Sequence, residues 1–319
     1  MLRFLVFLFI CVSFLDAQML SRTKVGMGTF ITLSLEEKNK DSIEEGFGIM
    51  KDVELSLSSY DITAQIYKLN HNKKTGINRY TYEALSLSKK YYEQTDGYFN
   101  ITIGSITEDL YRFGANQRVP HAKELEDAHV DFKGLSFNKK EASLRENIKV
   151  DLGGMGKGFG VDKVAEYFKS KNITKAVIAA SGDIRCLDAC HIDVQNPHGE
   201  NYLASFDTLN KETGVSTSGN YNRYVESTEN NHLINPKQKK PAQNFISITL
   251  ISHMPSSDLD AYATAVSVMP KEKSYTFLES MQIAYIILES DKKLIVSKNI
   301  NEFVENLKID FLQNSKHAH

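Results

Sequence analysis

Five glycines fall within the eight residues Gly153 to Gly160, in the segment DLGGMGKGFGVD. No other stretch of the chain limits the fold so tightly. The preceding IKVDL reads as a strand, and VDKVAEYFKSKNI after it as a helix with Val161, Val164, Ala165 and Phe168 on one face. A glycine-dense joint between them serves one of two ends. It brings backbone N–H groups and a helix N-terminus up to a phosphate, or it lets strand and helix pack closely. The common phosphate formulas fail. G-x-G-x-x-G lacks a glycine at Phe159 or Val161, and in a Walker A reading Gly158 stands after Lys157 where Ser or Thr belongs, with Asp151 at its first position. Lys157 within the joint favours an anionic ligand.

The rest of the chain mixes helical and strand periods. KVGMGTFITLSL alternates as a first strand from near Lys24, and from Ser42 to Asn70 a helical stripe runs through Ile43, Phe47, Met50, Val53 and Leu57. TYEALSLSKKYYEQ is a second helix, closed by Asp96-Gly97. FGANQRVPHAKELEDAHVDF reads as a connector or small helical insertion. GLSFNKKEASLR and ENIKVDL read as short strands joined as in a hairpin. KAVIAASGDIRCLD, HIDVQNPHG and FISITLISH are strands, SSDLDAYATAVSVM a helix, and AYIILES with KLIVSKNI a last hairpin. Without strict βαβ alternation the class is α+β or mixed α/β, in one compact unit with an insertion.

Composition sets outer bounds. With 41% apolar and 24% charged residues over 319 positions, the chain carries enough apolar surface for a large core. Lys+Arg 38 against Asp+Glu 40 leaves no basic excess, so nucleic acid is not the expected partner. Met1-Leu2-Arg3 precedes the apolar run Phe4 to Leu15, which falls short of the roughly 20 residues of a membrane span. It reads as a secretory signal, residues 1–17, with cleavage after Ala17; an uncleaved N-terminal anchor is the alternative. Cys11 follows Phe9-Ile10 rather than small residues, which does not suit a lipoprotein signal. The exported chain is then 18–319. In an oxidising compartment Cys186 and Cys190 either bridge a tight hairpin or stand as two thiols in neighbouring strands. Their spacing is not a zinc pattern.

Two further segments carry chemistry. Asp260 and Thr264 lie four residues apart, on one helical face. They suit a hard cation such as Mg²⁺, or else a helix cap and a packed threonine. STSGNYNRYVE and HLINP gather Thr217, Ser218 and His232, but G-x-S-x-G is absent, so serine hydrolase chemistry is not the reading.

Taken in order, these segments resemble the FAD:protein FMN transferase (ApbE-type) family. MGTF (27–30), SSYDITAQIYKLN (58–70), TDGYFN (95–100), VDLGGMGKGFGVDKVA (150–165), SGDIR (181–185), VSTSGNYNR (215–223), HLINP (232–236) and DAYATA (260–265) follow its pattern from Met27 to Met269. The resemblance implies an α+β fold, a compact ApbE-like, T-fold-related unit of mixed sheets and helices with a helical insertion. It implies an enzyme that binds FAD as substrate with Mg²⁺, moves FMN to a Thr or Ser hydroxyl of an exported or membrane-associated redox protein, and releases AMP. Some relatives instead hydrolyse FAD to FMN and AMP, and a non-catalytic FAD-binding protein is a third expectation. By the same resemblance Asp260 and Thr264 ligate the metal, assisted by carbonyls near Gly154 and Ala263. Asp151 and Lys157 sit against FAD, and Met27, Tyr60, Tyr98, Phe99, Asn100 and Ile234 line its cleft. His232 is the candidate base for the acceptor hydroxyl. The chain departs from the family at Asn100, where Asp is usual, at Ser181-Gly182, where two glycines are usual, and at Lys237-Gln238, where Thr-Gly is usual.

Overall fold

The computed structural model describes residues 18–114 and 116–310; the expected signal segment lies outside them. Strands β1 (Met19–Gly26), β2 (Thr29–Glu36), β6 (Ala176–Ala180), β7 (Asp183–Cys186), β10 (Thr213–Gly219), β15 (Phe245–Ser252), β16 (Ala284–Glu289) and β17 (Leu294–Val296) form one sheet. Their spatial order is β1-β2-β6-β7-β10-β15-β16-β17, and each neighbouring pair is antiparallel. Helices α1 (Asp41–Leu57), α3 (Arg79–Gln94), α6 (Gly156–Ser170) and α7 (Ser256–Val268) cover one face. A small sheet of β8 (His191–Gln195), β9 (Tyr202–Thr208) and β18 (Val304–Ile309) covers part of the other. A second small sheet, β3 (Lys74–Gly76), β4 (Leu135–Phe137) and β5 (Glu141–Leu144), lies beside α2 (Gln65–Asn72). The architecture is the expected α+β.

Period explains most of these elements. Ile31, Leu33 and Leu35 alternate on β2, and Ile43, Phe47 and Met50 of the expected α1 stripe are buried with them and with Val161, Val164, Ala165 and Phe168 of α6, while Val53 and Leu57 join a second core cluster. β16 is buried along its whole length, as a continuous apolar run requires.

Four expectations change. KVGMGTFITLSL is two strands, because Met27 (φ 52°) and Gly28 (φ 72°) turn the chain into a hairpin. KAVIAASGDIRCLD likewise folds back at Ser181 (φ 58°) and Gly182. The stripe from Ser42 to Asn70 breaks after Leu57: the Ser58 hydroxyl accepts the N–H groups of Tyr60 and Asp61, and Asp61 accepts that of Thr63. IKVDL is not a strand. Apart from one isolated parallel bridge between Ile103 and Lys149, its backbone is held by other means. The Lys149 N–H donates to Ser105 Oγ at 3.0 Å, that of Val150 to Asn70 Oδ1 at 2.8 Å, and that of Asp151 to the Ile101 carbonyl at 2.7 Å.

The glycine joint therefore serves packing. Gly156, Gly158 and Gly160 lie inside α6, not in a loop. A Cβ on Gly158 would stand 2.3 Å from the Ser256 carbonyl oxygen, and one on Gly160 2.9 Å from Met50 Sδ. Closeness of α6 to α7 is fixed further by Asp162. Its carboxylate accepts Ser256 N–H at 2.7 Å, Ser257 N–H at 2.8 Å and Ser257 Oγ–H at 2.7 Å, which caps α7 from the neighbouring helix. Cys186 and Cys190 are bridged, with Cα atoms 6.0 Å apart, between β7 and β8.

Candidate active site

Close approach of α6 and α7 places Lys157, in the first turn of α6, against Asp260 in the second turn of α7. Lys157 Nζ lies 2.7 Å from Asp183 Oδ2 and 3.5 Å from Asp260 Oδ2. The same Asp260 oxygen accepts the Gly158 N–H at 3.0 Å. Ser216 Oγ donates to the other Asp183 oxygen at 2.6 Å. Both carboxylates are buried, with Asp183 1% and Asp260 2% exposed. Burial works against the Lys157 ammonium, but Asp183 and then Asp260 outweigh it and hold its pKa above the ordinary lysine range. Burial, and next the charge of Asp183, push the Asp260 carboxyl up, with Lys157 opposing. Lys157 thus stands between two buried carboxyl groups, Asp183 and Asp260.

One turn along α7, Thr264 Oγ1 donates to the Gly154 carbonyl at 3.2 Å. Asp260 stands one helical turn from this Thr264–Gly154 pair, and a carboxylate, a hydroxyl and a carbonyl are hard-oxygen donors of the kind that suits Mg²⁺. No group of three or more His, Cys, Asp or Glu side chains suited to a metal occurs among the described residues. The Ala263 carbonyl already accepts Ser267 Oγ at 2.7 Å within the helix. Asp151 accepts Thr107 Oγ1 at 2.8 Å and the Gly153 N–H at 2.8 Å, so it orders the turn leading to Gly154.

His232 sits across from this cluster. Its Nδ1 lies 3.1 Å from the Arg223 carbonyl oxygen, which can only accept, so Nδ1 carries the proton and Nε2 the free lone pair. Burial, followed by the Arg223 charge, lowers its pKa to about 4; Lys157 and Asp151 also act on it. The imidazole is neutral at physiological pH and available as a base. Arg223 in turn donates to Tyr60 Oη at 2.6 Å and lies over the rings of Tyr60 and Phe113, 5.8 and 5.4 Å from their centroids.

The expected lining divides. Met27, its N–H bonded to Glu54, reaches toward Gly156 and Gly160 at the start of α6. Tyr60 is half exposed and stands at the opening beside Arg223. Tyr98 lies under Lys237 and Lys273, 4.2 and 4.9 Å from its ring centroid, and both lysines pair with Asp96. Phe99 does not line a cleft: it is 3% exposed and packs edge-on against Tyr91 in the core. Ile234 is likewise buried, among Ile106, Tyr111, Phe113 and Val225. Asn100 accepts the N–H and hydroxyl of Thr102 at 3.0 and 2.7 Å, a local turn bond. In the altered loop, the left-handed residue is Lys239 (φ 58°).

Sequence reasoning assigned no role to Asp183, Arg223 or Phe113. The first two stood inside segments already singled out, SGDIR and VSTSGNYNR. Asp183 shows itself only when β7 is seen to run beside α6.

The ApbE family model matches residues 27–287. A FAD:protein FMN transferase of Haemophilus influenzae is 26% identical over 292 residues, covering 82% of this chain and 82% of the relative. One from Treponema pallidum is 24% identical over 92% of this chain and 90% of its own length. Among solved structures, the ApbE protein of Thermotoga maritima superposes with a TM-score of 0.82 at 24% identity, covering 90% of this chain and all of that one. The flavin transferase ApbE of Vibrio cholerae gives 0.77 at 21% identity, over 90% and 99% of the two chains.

Proposed function

The chain belongs to the ApbE family, and on that premise we propose that it is a FAD:protein FMN transferase. The observation that carries the reading is the buried Lys157–Asp183–Asp260 group beside Thr264 and the Gly154 carbonyl. In this reading a Thr or Ser hydroxyl of an acceptor protein attacks the FMN-side phosphorus of FAD. The new P–O bond forms as the bond to the bridging oxygen breaks, the hydroxyl proton passes to His232 Nε2, and AMP leaves. Lys157 stabilises negative charge on the phosphate oxygens. Asp260, Thr264 and the Gly154 carbonyl would hold Mg²⁺, which supplies Lewis-acid neutralisation of the same charge. Asp183 orients Lys157 and keeps it protonated.

Export to an oxidising compartment is part of the proposal, with a periplasmic site and an acceptor that is an exported redox protein. The N-terminal apolar run and the Cys186–Cys190 bridge support it. The test is mass spectrometry of a candidate exported acceptor incubated with the protein, FAD and Mg²⁺, with an EDTA control. The expected result is a gain of one FMN that EDTA abolishes. Free FMN and AMP beside an unmodified acceptor would replace transfer by FAD hydrolysis.

A further inference from the structure

The tip of the first hairpin is fastened by a residue that the reaction above does not use. The ladder between β1 and β2 closes at Gly26 with Thr29, so the Met27 N–H lies beyond it. That N–H donates to Glu54 Oε1 of α1 at 2.8 Å, across 27 residues of sequence. The other Glu54 oxygen pairs with the exposed Lys51 at 2.8 Å. Among the described residues no other side chain hydrogen-bonds to residues 26–28.

The tip has few other supports. β2 pairs with β6 up to Ile31, and one more bond, from the Ser181 N–H to the Phe30 carbonyl at 3.1 Å, extends that pairing. Behind the turn, Val25 faces Phe30 across the hairpin, and the two are 77% and 68% exposed. Met27 itself is left-handed, a backbone that is unfavourable for any residue with a Cβ. The bond from Glu54 therefore holds a conformation that the local chain does not favour.

What the tip rests on gives this bond its interest. The Met27 side chain packs against both core clusters that α1 joins. A Cβ on Gly156 would stand 3.9 Å from Met27 Cε, and one on Gly160 3.3 Å from Met27 Sδ. Lys157 lies between those two glycines, so the tip is seated on the turn that carries the active-site ammonium.

We propose that Glu54 is a positioning residue: by accepting the Met27 N–H it seats the hairpin tip on α6 and forms one wall of the flavin cleft before FAD arrives. The proposal rests on the flavin reading, in which Met27 lines the cleft. Glu54 touches neither ligand nor reacting atoms and acts through Met27. Without its bond the tip leaves its seat in part of the population, and FAD affinity falls by the fraction that remains seated.

The experiment compares wild type, Glu54→Ala and Glu54→Gln by flavin-fluorescence titration of FAD with Mg²⁺, and by hydrogen exchange of the ligand-free proteins. If the tip stays seated in about a tenth of Glu54→Ala molecules, the FAD Kd rises about tenfold. Exchange should quicken in peptides covering 24–30 and not through α1 or α6, and saturating FAD should restore the protection. Glu54→Gln keeps an acceptor oxygen at the same point and should lie closer to wild type than to Glu54→Ala in both readouts. An unchanged Kd in Glu54→Ala overturns the proposal. So does exchange that quickens throughout α1, which is general loosening, or a Glu54→Gln as weak as Glu54→Ala, which makes the charge and not the accepted bond decisive. In each of these cases a wild type that binds FAD leaves the flavin reading standing. If the wild type binds no FAD, that reading fails and takes the role of Glu54 with it.

Discussion

His232 shows how one backbone contact decides the chemistry of a side chain. A carbonyl oxygen at Nδ1 fixes the tautomer, and burial together with Arg223 removes the charge. A histidine with a pKa near 4 is ready as a base across the neutral range. If it takes the acceptor proton, the acid limb of the transfer rate lies near pH 4, not near the ordinary histidine value of 6.5. Below that limb the imidazole is protonated and the rate falls. Replacing His232 by Ala lowers transfer by about 10²- to 10⁴-fold, with FAD binding retained, in single-turnover assays with saturating FAD. At this scale the sequence said much. Lys157, Asp260, Thr264 and His232 were all singled out from their segments, and the fold brings Lys157 against Asp260. Phe99 and Ile234 were misplaced because an apolar residue inside a functional motif looks the same from sequence whether it faces a ligand or the core. Asp183 and Arg223 escaped because their roles depend on partners 26 and 9 residues or more away, brought near only by the fold.

Among the elements, the glycine joint and the stretch before it carry the lesson. IKVDL has the alternation of a strand, yet among the described residues it meets only an isolated bridge at Lys149 and no strand to complete a ladder. Asn70 and Ser105 supply the missing partners, from 80 and 44 residues away. Nothing local distinguishes a backbone satisfied by a neighbouring strand from one satisfied by side chains. The reading of the glycines left two ends open, and the contacts at Gly158 and Gly160 are those of helix packing. Gly158→Ala is a sharp test of this. Its methyl would meet backbone, which cannot rotate away, so the helices must part. A loss of about 1–3 kcal/mol is expected in chemical denaturation, because parting the helices also draws Lys157 away from Asp260. Unchanged stability would show that α6 does not approach α7 so closely.

In the whole molecule, sheet order was the least accessible property. β2 lies beside β6, and β7 beside β10, although long insertions separate them in sequence. Periodicity gives the faces of strands but not their neighbours; of the main-sheet pairings only the last hairpin, β16 with β17, was legible beforehand. The Cys186–Cys190 bridge acts at this scale, since it joins the end of a main-sheet strand to the start of the small covering sheet. Closing so short a loop is worth roughly 2 kcal/mol by restriction of the unfolded chain. Melting with and without a thiol reductant should show that loss, and Cys190→Ser should reproduce it and respond no further. A reductant-insensitive wild type would mean that the thiols are not joined in solution.

Asp162 has a consequence for energetics that reaches beyond helix stability. By holding the first turn of α7 from within α6, it makes the two helices a single body. Lys157, Asp260 and Thr264 ride on that body, so their dipoles and charges do not have to swing into place as a phosphate gains charge. In water, most of the work of stabilising such charge goes into turning solvent around it; here that reorganisation is largely absent. Adjustment to a ligand falls instead on the opposite wall, where Tyr60 and Arg223 meet from two separate loops through one exposed hydrogen bond.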